Sequence, residues 1–389
     1  MEKIRVGLFV DTFYPMMDGV ISVVNNYATR LKDYGCDVVV FCPDGRVKFD
    51  DSQLPYKVVR CTKRFKLGFL DYDLPEPKRD QKFMKQLDDY NLDIIHIHSP
   101  FTIGRVGVDY AKKHNIPCVI TMHSQYKKDF RKESKSLIIT RILMNRIMYV
   151  FNHCDECWVM NPFGEKLIRE YGYKGKIDTI SNATALVPDG HVDEYEKLLE
   201  NMYNLNDVEN VFSFVGRMNR LKNIGLMIDA LKIAKDNGLS FKTILIGDGP
   251  DKKRFIKKVN KLGLSENIIF ANKVVDKKVL MGLYSRSDLF LFPSTYDTDG
   301  IVKIEAAGLG TPSICVKGSG AASTITDGVN GFLIENNAQA LADKIMELCK
   351  NKELIKKAGE QAHKDIYVTW DNVVKEVSDR YRKFVNKKQ

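Results

Sequence analysis

Val211-Phe-Ser-Phe-Val-Gly-Arg217, near the middle of the chain, returns to a pattern with which the chain opens, Ile4-Arg-Val-Gly-Leu-Phe-Val10. Each stretch is a short apolar run of the kind that is typical of a buried strand. Other apolar runs follow both of them and alternate with helical stretches, as in parallel sheets that are covered by helices on both faces. The sequence therefore predicts an α/β protein that consists of two doubly wound halves.

The predicted strands fall into two groups along the chain. They comprise residues 4–10, 37–42, 93–98 and 118–122, and then residues 211–215, 242–246, 267–270 and 289–292. A chain of 389 residues is long enough for two such domains. We expect a Rossmann-like domain over residues 1–182, a second over residues 183–365, and a helix within residues 366–389 that packs back across the domain joint. Ligands of such proteins bind at the carboxyl ends of the strands, here in the cleft between the domains.

The composition is that of a folded protein, with 44% hydrophobic and 28% charged residues. No apolar run approaches the roughly 18 residues that span a bilayer, and the N-terminus lacks the layout of a signal peptide. We therefore expect a cytoplasmic protein with at most peripheral membrane contact. The net charge of +10 is compatible with a nucleic acid, an anionic membrane or a phosphorylated small substrate as partner.

The eight cysteines are scattered, and only Cys154 and Cys157 have the spacing of a metal or redox motif. No second pair follows them at zinc-site spacing. We therefore interpret the two as buried or half-buried thiols of a reduced compartment, and we expect neither a disulfide framework nor a bound metal.

The segment Tyr296-Asp-Thr-Asp-Gly-Ile-Val-Lys-Ile-Glu305 is the most informative for function. It places the Asp297 carboxylate eight residues before that of Glu305, with Gly300 between them in front of a predicted short helix. The free N–H groups at such a helix start suit a phosphate or a developing anion. Carboxylates beside an anion site are explained by a ligand that also carries hydroxyls. A sugar nucleotide has both kinds of group, so we predict a sugar-nucleotide site here.

Strand 211–215 ends in Gly216-Arg217, and Lys222 follows five residues after Arg217. A planar guanidinium and a compact ammonium group together suit the diphosphate of a leaving nucleotide. The alternative is a solvated basic turn, because Arg220 lies in the same segment. Taken together with residues 296–305, the diphosphate interpretation is favoured.

Other strand ends are expected to face the same ligand. The turn Gly247-Asp-Gly249 follows strand 242–246, and Gly19 opens the helix after the first strand, although either could be a plain strand–helix connection. His123 ends strand 118–122 and is the preferred functional histidine. His96 and His98 share one face of strand 93–98 by alternation, so at least one of them is expected to be a packed structural histidine.

The chain resembles, over nearly its whole length, the retaining glycosyltransferases of family 4, which have the GT-B fold. The matching pieces are the 11–19 loop, Thr121-Met-His123, Val215-Gly-Arg217 with Lys222, Gly247-Asp-Gly-Pro250, and the segment that ends in Glu305-Ala306. In the family the first of two acids touches the donor hexose and the second the ribose hydroxyls. The family has a glutamate where this chain has Asp297, and this difference bears on which sugar is the donor.

The resemblance implies a retaining hexosyltransferase that needs no cofactor and no metal. The acceptor hydroxyl attacks from the face that the diphosphate leaves, and a phosphate oxygen takes its proton. The implied catalytic residues are Arg217, Lys222, Asp297 and His123. The implied donor-binding residues are Gly19, Gly216, Gly247, Gly249, Gly300, Ile301, Val302 and Glu305. Asp297-Thr-Asp299 also spells a metal-binding DxD motif, but the fold that uses this motif lacks a second strand–Gly-Arg–Lys half.

Basic residues are concentrated after His123, within residues 127–146, with apolar residues interleaved. Such a segment can lie on an anionic bilayer, although a helix that packs its apolar side on the sheet has the same pattern. The predicted membrane contacts are Lys127, Lys128, Arg131, Lys132 and Lys135. This stretch and residues 66–72 resemble those of diacylglycerol glucosyltransferases. The resemblance implies a membrane lipid acceptor such as diacylglycerol, a UDP-hexose donor such as UDP-glucose, and a place at the inner face of the plasma membrane.

Other functions remain open. A glycosyltransferase of capsule, exopolysaccharide or lipid-carrier-linked oligosaccharide assembly would keep the fold and be indifferent to anionic vesicles. A non-catalytic protein that binds membranes or nucleic acid would show steeply salt-dependent binding and no breakdown of sugar nucleotides. The sequence offers no recognised nucleic-acid motif, so no nucleic-acid partner is expected. A sugar-nucleotide epimerase of the same fold would lack the matching pieces named above.

Overall fold

The computed structural model describes residues 3–65, 74–271 and 276–388. The chain folds as two compact units, one formed by Met1–Ser181 together with Trp370–Gln389 and the other by Asn182–Thr369. We call them the first unit and the second unit. Each has its own parallel β-sheet and its own hydrophobic core.

The first unit alternates strands and helices. Its described strands are β1 (Ile4–Phe9), β2 (Cys36–Pro43), β3 (Lys57–Cys61), β4 (Arg64–Phe65), β5 (Leu74–Pro75), β6 (Ile94–Ile97), β7 (Cys118–Thr121), β8 (Glu156–Val159) and β9 (Ile177–Thr179). The helices before the unit boundary are α1 (Gly19–Arg30), α2 (Gln81–Asp89), α3 (Thr102–His114), α4 (Tyr126–Ser134), α5 (Leu137–Phe151) and α6 (Pro162–Glu170).

Seven of these strands form one sheet in the order β3-β2-β1-β6-β7-β8-β9, and β4 pairs with β5 in a short antiparallel ribbon. All neighbours within the large sheet are parallel. Strands β6, β7 and β8 are buried at every position. This continuous burial, without alternation, follows from the helices that cover both faces of a parallel sheet.

The second unit repeats this architecture. Its described strands are β10 (Val211–Val215), β11 (Lys242–Ile246), β12 (Ile268–Ala271), β13 (Leu289–Phe292), β14 (Ser313–Val316) and β15 (Phe332–Ile334). Its helices are α7 (Val192–Tyr203), α8 (Ile224–Asp236), α9 (Lys252–Lys261), α10 (Lys277–Arg286), α11 (Ile301–Gly308), α12 (Ala338–Cys349) and α13 (Lys352–Asp365). The sheet has the order β12-β11-β10-β13-β14-β15, with every pair parallel.

The predicted fold class is confirmed, and each of the eight predicted strands is present. The sequence did not predict β3, β4, β5, β8, β9, β14 and β15. Strand β9 shows why, since it has only three residues and none of them is fully buried. Because a half-exposed strand of this length carries no continuous apolar run, only its pairing with β8 identifies it.

The last helix, α14 (Trp370–Lys388), belongs to the first unit. The Trp370 ring lies 6.0 Å from that of Tyr27 on α1, between ring centroids. The Tyr381 hydroxyl lies 2.6 Å from Nδ1 of His96 on β6. The apolar face that the sequence placed on this helix therefore packs on α1 and on the first sheet, while its role at the domain joint stays a prediction.

Cys157 is buried and Cys154 is half-buried, which confirms the burial predicted for this pair, and all eight cysteines are free thiols. Within the described residues, no helix combines the length and the apolar character that crossing a bilayer requires.

Candidate functional site

The winding of the second sheet reverses at β10, which pairs with both β11 and β13. Because these strands are parallel, the loops that follow β10 and β13 meet at the carboxyl edge of the sheet, where α/β proteins bind ligands. The loop after β10 carries Gly216, Arg217 and Lys222, and the loop after β13 carries Asp297 and Gly300. The two sequence segments that we predicted to bind a sugar nucleotide are thus neighbours at the switch point of one sheet.

Glycines allow the loop after β11 to touch the loop after β10. A Cβ on Gly247 would lie 2.0 Å from the carbonyl oxygen of Gly216, and a Cβ on Gly249 would lie 2.4 Å from that of Met218. Both glycines also have positive φ, at 151° and 159°. Gly247 and Gly249 therefore support the loop of Arg217 from behind, and for them direct contact with a donor stays a prediction.

The Lys222 ammonium group links the two loops. Its Nζ lies 2.6 Å from Oδ1 of Asp297, and the two side chains are 18% and 20% exposed. The second carboxylate oxygen, Oδ2 of Asp297, is buried and has no hydrogen-bond partner among the described residues. Arg217 is exposed, and within the residues that the structure describes it forms no ion pair. Since buried acceptors in proteins are normally satisfied, Oδ2 marks a place where a ligand hydroxyl can donate.

Helix α11 begins directly after Gly300 without a side-chain cap. The φ of Gly300 is 128°, and a Cβ there would lie 2.7 Å from Cε1 of the buried Phe292 ring. Only glycine fits this position, and it brings the first-turn amides of Ile301 and Val302 to the loop of Asp297. Uncapped amides at a helix start carry partial positive charge, so this turn can hold an anion.

A buried ion pair underlies this helix start. Nζ of Lys303, a residue with no exposed surface, lies 3.1 Å from Oδ1 of Asp299 and donates to the Ala321 carbonyl at 2.9 Å and to Oγ1 of Thr324 at 2.6 Å. The other Asp299 oxygen accepts from the Asn182 amide at 3.1 Å. The pair therefore fixes the backbone on both sides of Gly300, and the sequence did not predict this role for either residue.

Glu305 lies on the second turn of α11 and is half-buried. The Tyr284 hydroxyl on α10 donates to its Oε2 at 2.8 Å. Burial raises the pKa of the Glu305 carboxyl, and the Tyr284 hydrogen bond opposes that shift. The hydroxyl fixes the orientation of the carboxylate, so its other oxygen can accept from a ligand hydroxyl.

In the first unit the sheet reverses at β1, between β2 and β6. Asp11, directly after β1, accepts from the Ile103 amide at 2.8 Å and from Oγ1 of Thr102 at 3.1 Å, so it caps α3. Burial raises the pKa of Asp11 to about 6, although these hydrogen bonds lower it. Gly19 is the first residue of α1, and no atom lies within 4 Å of a Cβ built on it. The start of α1 thus has room for a ligand, and donor contact by Gly19 stays a prediction.

The strand ends of β6 and β7 bring together His96, His98 and His123, which we call the histidine cluster. Nδ1 of His98 lies 3.1 Å from Nε2 of His123, and the His96 and His98 rings lie 4.0 Å apart. Burial lowers the pKa of His123 to about 4, and it holds the pKa of His96 and of His98 well below the usual range. His96, whose two ring nitrogens contact Tyr381 and Thr121, is the packed structural histidine that we predicted.

The basic segment after His123 forms α4 and the first turns of α5. All five predicted membrane contacts are exposed: Lys127, Lys128, Arg131, Lys132 and Lys135. The start of α5 is exposed as well, with Leu137, Ile138, Ile139 and Ile142 at 70%, 73%, 47% and 49% exposure. We call these nine residues the α4–α5 surface. The sheet-packing alternative holds for Tyr126 on α4 and for Met144, Ile147 and Phe151 on α5, which are buried in the core of the first unit. Residues 66–72, the other stretch with a lipid-enzyme resemblance, lie outside the described residues.

The sequence missed the residues that hold the predicted ones in place. Tyr284 and Lys303 carry no motif of their own, and Asp299 was noted only as part of the DxD motif of metal-binding sites. The spacing of Asp299 and Lys303, four residues apart at a helix start, is a signal that could have identified them as a pair. Tyr284 could not have been identified in this way, because only the packing of α10 against α11 brings it to Glu305.

Both halves of the chain match known protein families. Residues 17–186 match the family described as Glycosyltransferase Family 4, and residues 197–365 match the family described as Glycosyl transferases group 1. A curated relative, the alpha-monoglucosyldiacylglycerol synthase of Acholeplasma laidlawii, is 25% identical, and the match covers 99% of this chain and 100% of the relative.

Solved structures share the architecture. The sucrose-phosphate synthase of Thermosynechococcus elongatus has a TM-score of 0.78 at 20% identity, with 99% of this chain and 100% of that chain covered. The Anabaena protein Alr3699/HepE, solved in complex with UDP-glucose, has a TM-score of 0.75 at 17% identity, with 98% and 100% covered. At these identities the likeness shows the fold, which is GT-B.

Proposed function

Because this chain belongs to the family 4 glycosyltransferases and has their GT-B fold, we propose that it is a retaining hexosyltransferase with a membrane lipid acceptor. The donor is a nucleotide sugar, a UDP-hexose such as UDP-glucose, and the acceptor is a lipid such as diacylglycerol. The second unit binds the donor and the first unit binds the acceptor. One observation carries the proposal, namely the Lys222–Asp297 contact beside the uncapped start of α11.

This contact supports a division of labour within the donor site. Arg217, Lys222 and the amides at the start of α11 stabilise the diphosphate, because they supply positive charge at one sheet edge. The unpartnered Oδ2 of Asp297 accepts from a hydroxyl of the donor hexose. Glu305, oriented by Tyr284, accepts from the ribose hydroxyls.

In the proposed reaction an acceptor hydroxyl oxygen forms a bond to the anomeric carbon while the bond from that carbon to the diphosphate oxygen breaks. Attack and departure use the same face, so the configuration is retained. The acceptor proton passes to an oxygen of the departing diphosphate. The protein contributes chiefly by stabilising the charge that develops on this diphosphate, and loss of one such contact typically costs about 3–4 kcal/mol of transition-state stabilisation.

The reaction is proposed to need no metal, because each carboxylate of Asp297-Thr-Asp299 already forms an ion pair with a lysine. Asp297 contacts Lys222 at 2.6 Å, and Asp299 contacts Lys303 at 3.1 Å. A divalent cation held by this DxD motif would compete with both ammonium groups for these carboxylates. Undiminished turnover in excess chelator is the expected result.

The lipid acceptor is supported by the α4–α5 surface. Its four exposed aliphatic side chains adjoin five cations, the combination that binds at the boundary between the headgroups and acyl chains of an anionic bilayer. A cavity of about 330 Å³ lies beside it, lined among others by Lys128, Arg131, Leu137 and Leu167. The Acholeplasma laidlawii relative, by its name a synthase of alpha-monoglucosyldiacylglycerol, supports the same acceptor class. Peripheral association with an anionic membrane follows from this surface as part of the proposal.

The donor site can be tested by substitution in the loop after β10. Arg217→Ala and Lys222→Ala should each lower kcat for UDP-hexose turnover by about 10²–10³-fold, while the melting temperature stays close to that of the wild type. Arg220→Ala is the matched control, since Arg220 lies in the same loop but has a side chain that is 75% exposed and pairs with Asp251 at 3.5 Å. Equal turnover in all three variants would refute the assignment of Arg217 and Lys222.

A further inference from the structure

His98 and His123 end two adjacent parallel strands and contact each other there. Nδ1 of His98 lies 3.1 Å from Nε2 of His123, and the two rings are inclined by 20°. They are 1% and 9% exposed. At this distance one nitrogen carries a proton and donates, and the other accepts with its lone pair.

The surroundings of His98 decide which nitrogen donates. Its Nε2 is buried and has no hydrogen-bond partner among the described residues. Burial also keeps the ring neutral, so it carries a single proton. A buried N–H without an acceptor is rarer in proteins than an under-satisfied acceptor. The proton of His98 therefore lies on Nδ1, and the unpartnered Nε2 is a lone pair.

We propose that His98 is a positioning residue that fixes the tautomer of His123. His98 donates from Nδ1 to Nε2 of His123, and the proton of the neutral His123 ring is thereby placed on its Nδ1. Both nitrogens of His123 are then committed, one as an acceptor toward His98 and the other as an N–H. His123 cannot take a proton from an acceptor hydroxyl, and any contact that its Nδ1 makes with a ligand is one in which it donates.

The packing around His98 keeps its ring in this orientation. The His96 ring lies 4.0 Å from it, and the Tyr27 ring lies 5.6 Å away at 78°. His96 is itself fixed by the Tyr381 hydroxyl at 2.6 Å and by Oγ1 of Thr121 at 2.7 Å. A group that directs a functional side chain must have its own rotamer fixed, and this packing fixes it.

The catalytic consequence rests on the proposed function, but the tautomer does not. If the diphosphate takes the acceptor proton, His123 has no need to be a base, and a neutral N–H donor is the state that suits an oxygen-rich ligand. The tautomer is a property of the protein without substrate, so it can be measured whether or not any sugar is transferred.

The test is nitrogen NMR of the full chain labelled with ¹⁵N-histidine, with resonances assigned by those that disappear in His98→Asn and His123→Asn. Chemical shifts of imidazole nitrogens separate protonated from unprotonated sites. We expect Nδ1 to carry the proton in both rings. Protonation of His98 on Nε2 would overturn the proposal, whatever the enzyme assay shows.

Two variants then separate positioning from packing. His98→Asn keeps an amide donor near the position of Nδ1, and His98→Leu removes it. We expect His98→Asn to preserve the His123 spectrum and most of kcat. We expect His98→Leu to change the His123 spectrum and to lower kcat by about 10–100-fold, with little change in KM for the donor. An unchanged His123 tautomer in His98→Leu would contradict the proposal. A complete absence of turnover in the wild type, with the expected spectrum, would instead count against the proposed function alone.

Discussion

Substitution of Lys303 by methionine should be among the most destabilising changes in the second unit. Lys303 has no exposed surface, and Asp299 is 5% exposed. Methionine keeps an apolar stem of similar length but removes the ammonium group, which leaves the Asp299 carboxylate buried with the Asn182 amide as its remaining hydrogen-bond donor among those described above. Loss of one partner of a buried ion pair costs about 3–5 kcal/mol, so Lys303→Met should lower the free energy of unfolding by that amount.

Urea unfolding can locate this effect within the chain. Both tryptophans, Trp158 and Trp370, belong to the first unit, so intrinsic fluorescence follows that unit, whereas far-ultraviolet circular dichroism follows both. For a slope of about 2 kcal/mol per molar urea, a loss of ~4 kcal/mol moves the midpoint by about 2 M. We expect this shift in the part of the dichroism transition that the fluorescence transition does not follow, because that part reports the second unit.

Two comparisons make the result specific. Lys317→Met removes an exposed pair, Lys317–Glu335, with side chains 52% and 67% exposed, and should change stability by less than about 1 kcal/mol. The double variant Asp299→Asn with Lys303→Met should recover more than half of the loss, because no unpaired charge then remains buried. A loss below about 1 kcal/mol in Lys303→Met alone would show that the Lys303–Asp299 ion pair does not stabilise the second unit.

Acid should destabilise the first unit through the histidine cluster. Folding lowers the pKa of His123 from 6.5 to about 4. The contribution of the neutral His123 ring to the free energy of unfolding is therefore fully present above about pH 6.5 and is lost as the pH drops toward 4. This contribution is about 3 kcal/mol for His123 alone. The other two cluster histidines shift in the same direction, so tryptophan-detected urea midpoints should fall steeply between pH 6.5 and 5, and a flat profile would contradict this. On the α4–α5 surface, Ile138→Ser combined with Ile142→Ser should weaken sedimentation with anionic vesicles at least about tenfold, because two exposed apolar side chains no longer enter the bilayer. Val187→Ser, at a position 53% exposed in the second unit, should leave vesicle binding unchanged. Equal binding by all variants would contradict membrane contact by the α4–α5 surface.

Much of the fold follows from local sequence. The apolar runs of β10, β11 and β13 were predicted at the bounds that the structure has, since short, mostly apolar runs are typical of buried parallel strands. The edge strand β9 has no such signature, and its existence depends on a neighbour. The sequence could therefore predict the centre of each sheet better than its edges.

In the candidate site, too, some residues could be predicted from the sequence and some contacts could not. Asp297, Gly300 and Lys222 were predicted because spacing and residue type express their chemistry directly. The contact of Tyr284 with Glu305 depends on how two helices pack, and the orphaned oxygen of Asp297 on the details of one buried loop. Such contacts are tertiary and could not be predicted from the spacing of residues along the chain.

The proposed transfer of a hexose to a membrane lipid can be measured in a single assay. The purified protein is incubated with labelled UDP-glucose and vesicles of diacylglycerol in phosphatidylglycerol, and label is followed into the organic phase, with Lys222→Ala as the matched inactive variant. We expect labelled glycolipid with the wild type and about 10²–10³-fold less with the variant. Breakdown of UDP-glucose without lipid label would contradict the lipid acceptor, and equal lipid labelling by the two proteins would contradict the site.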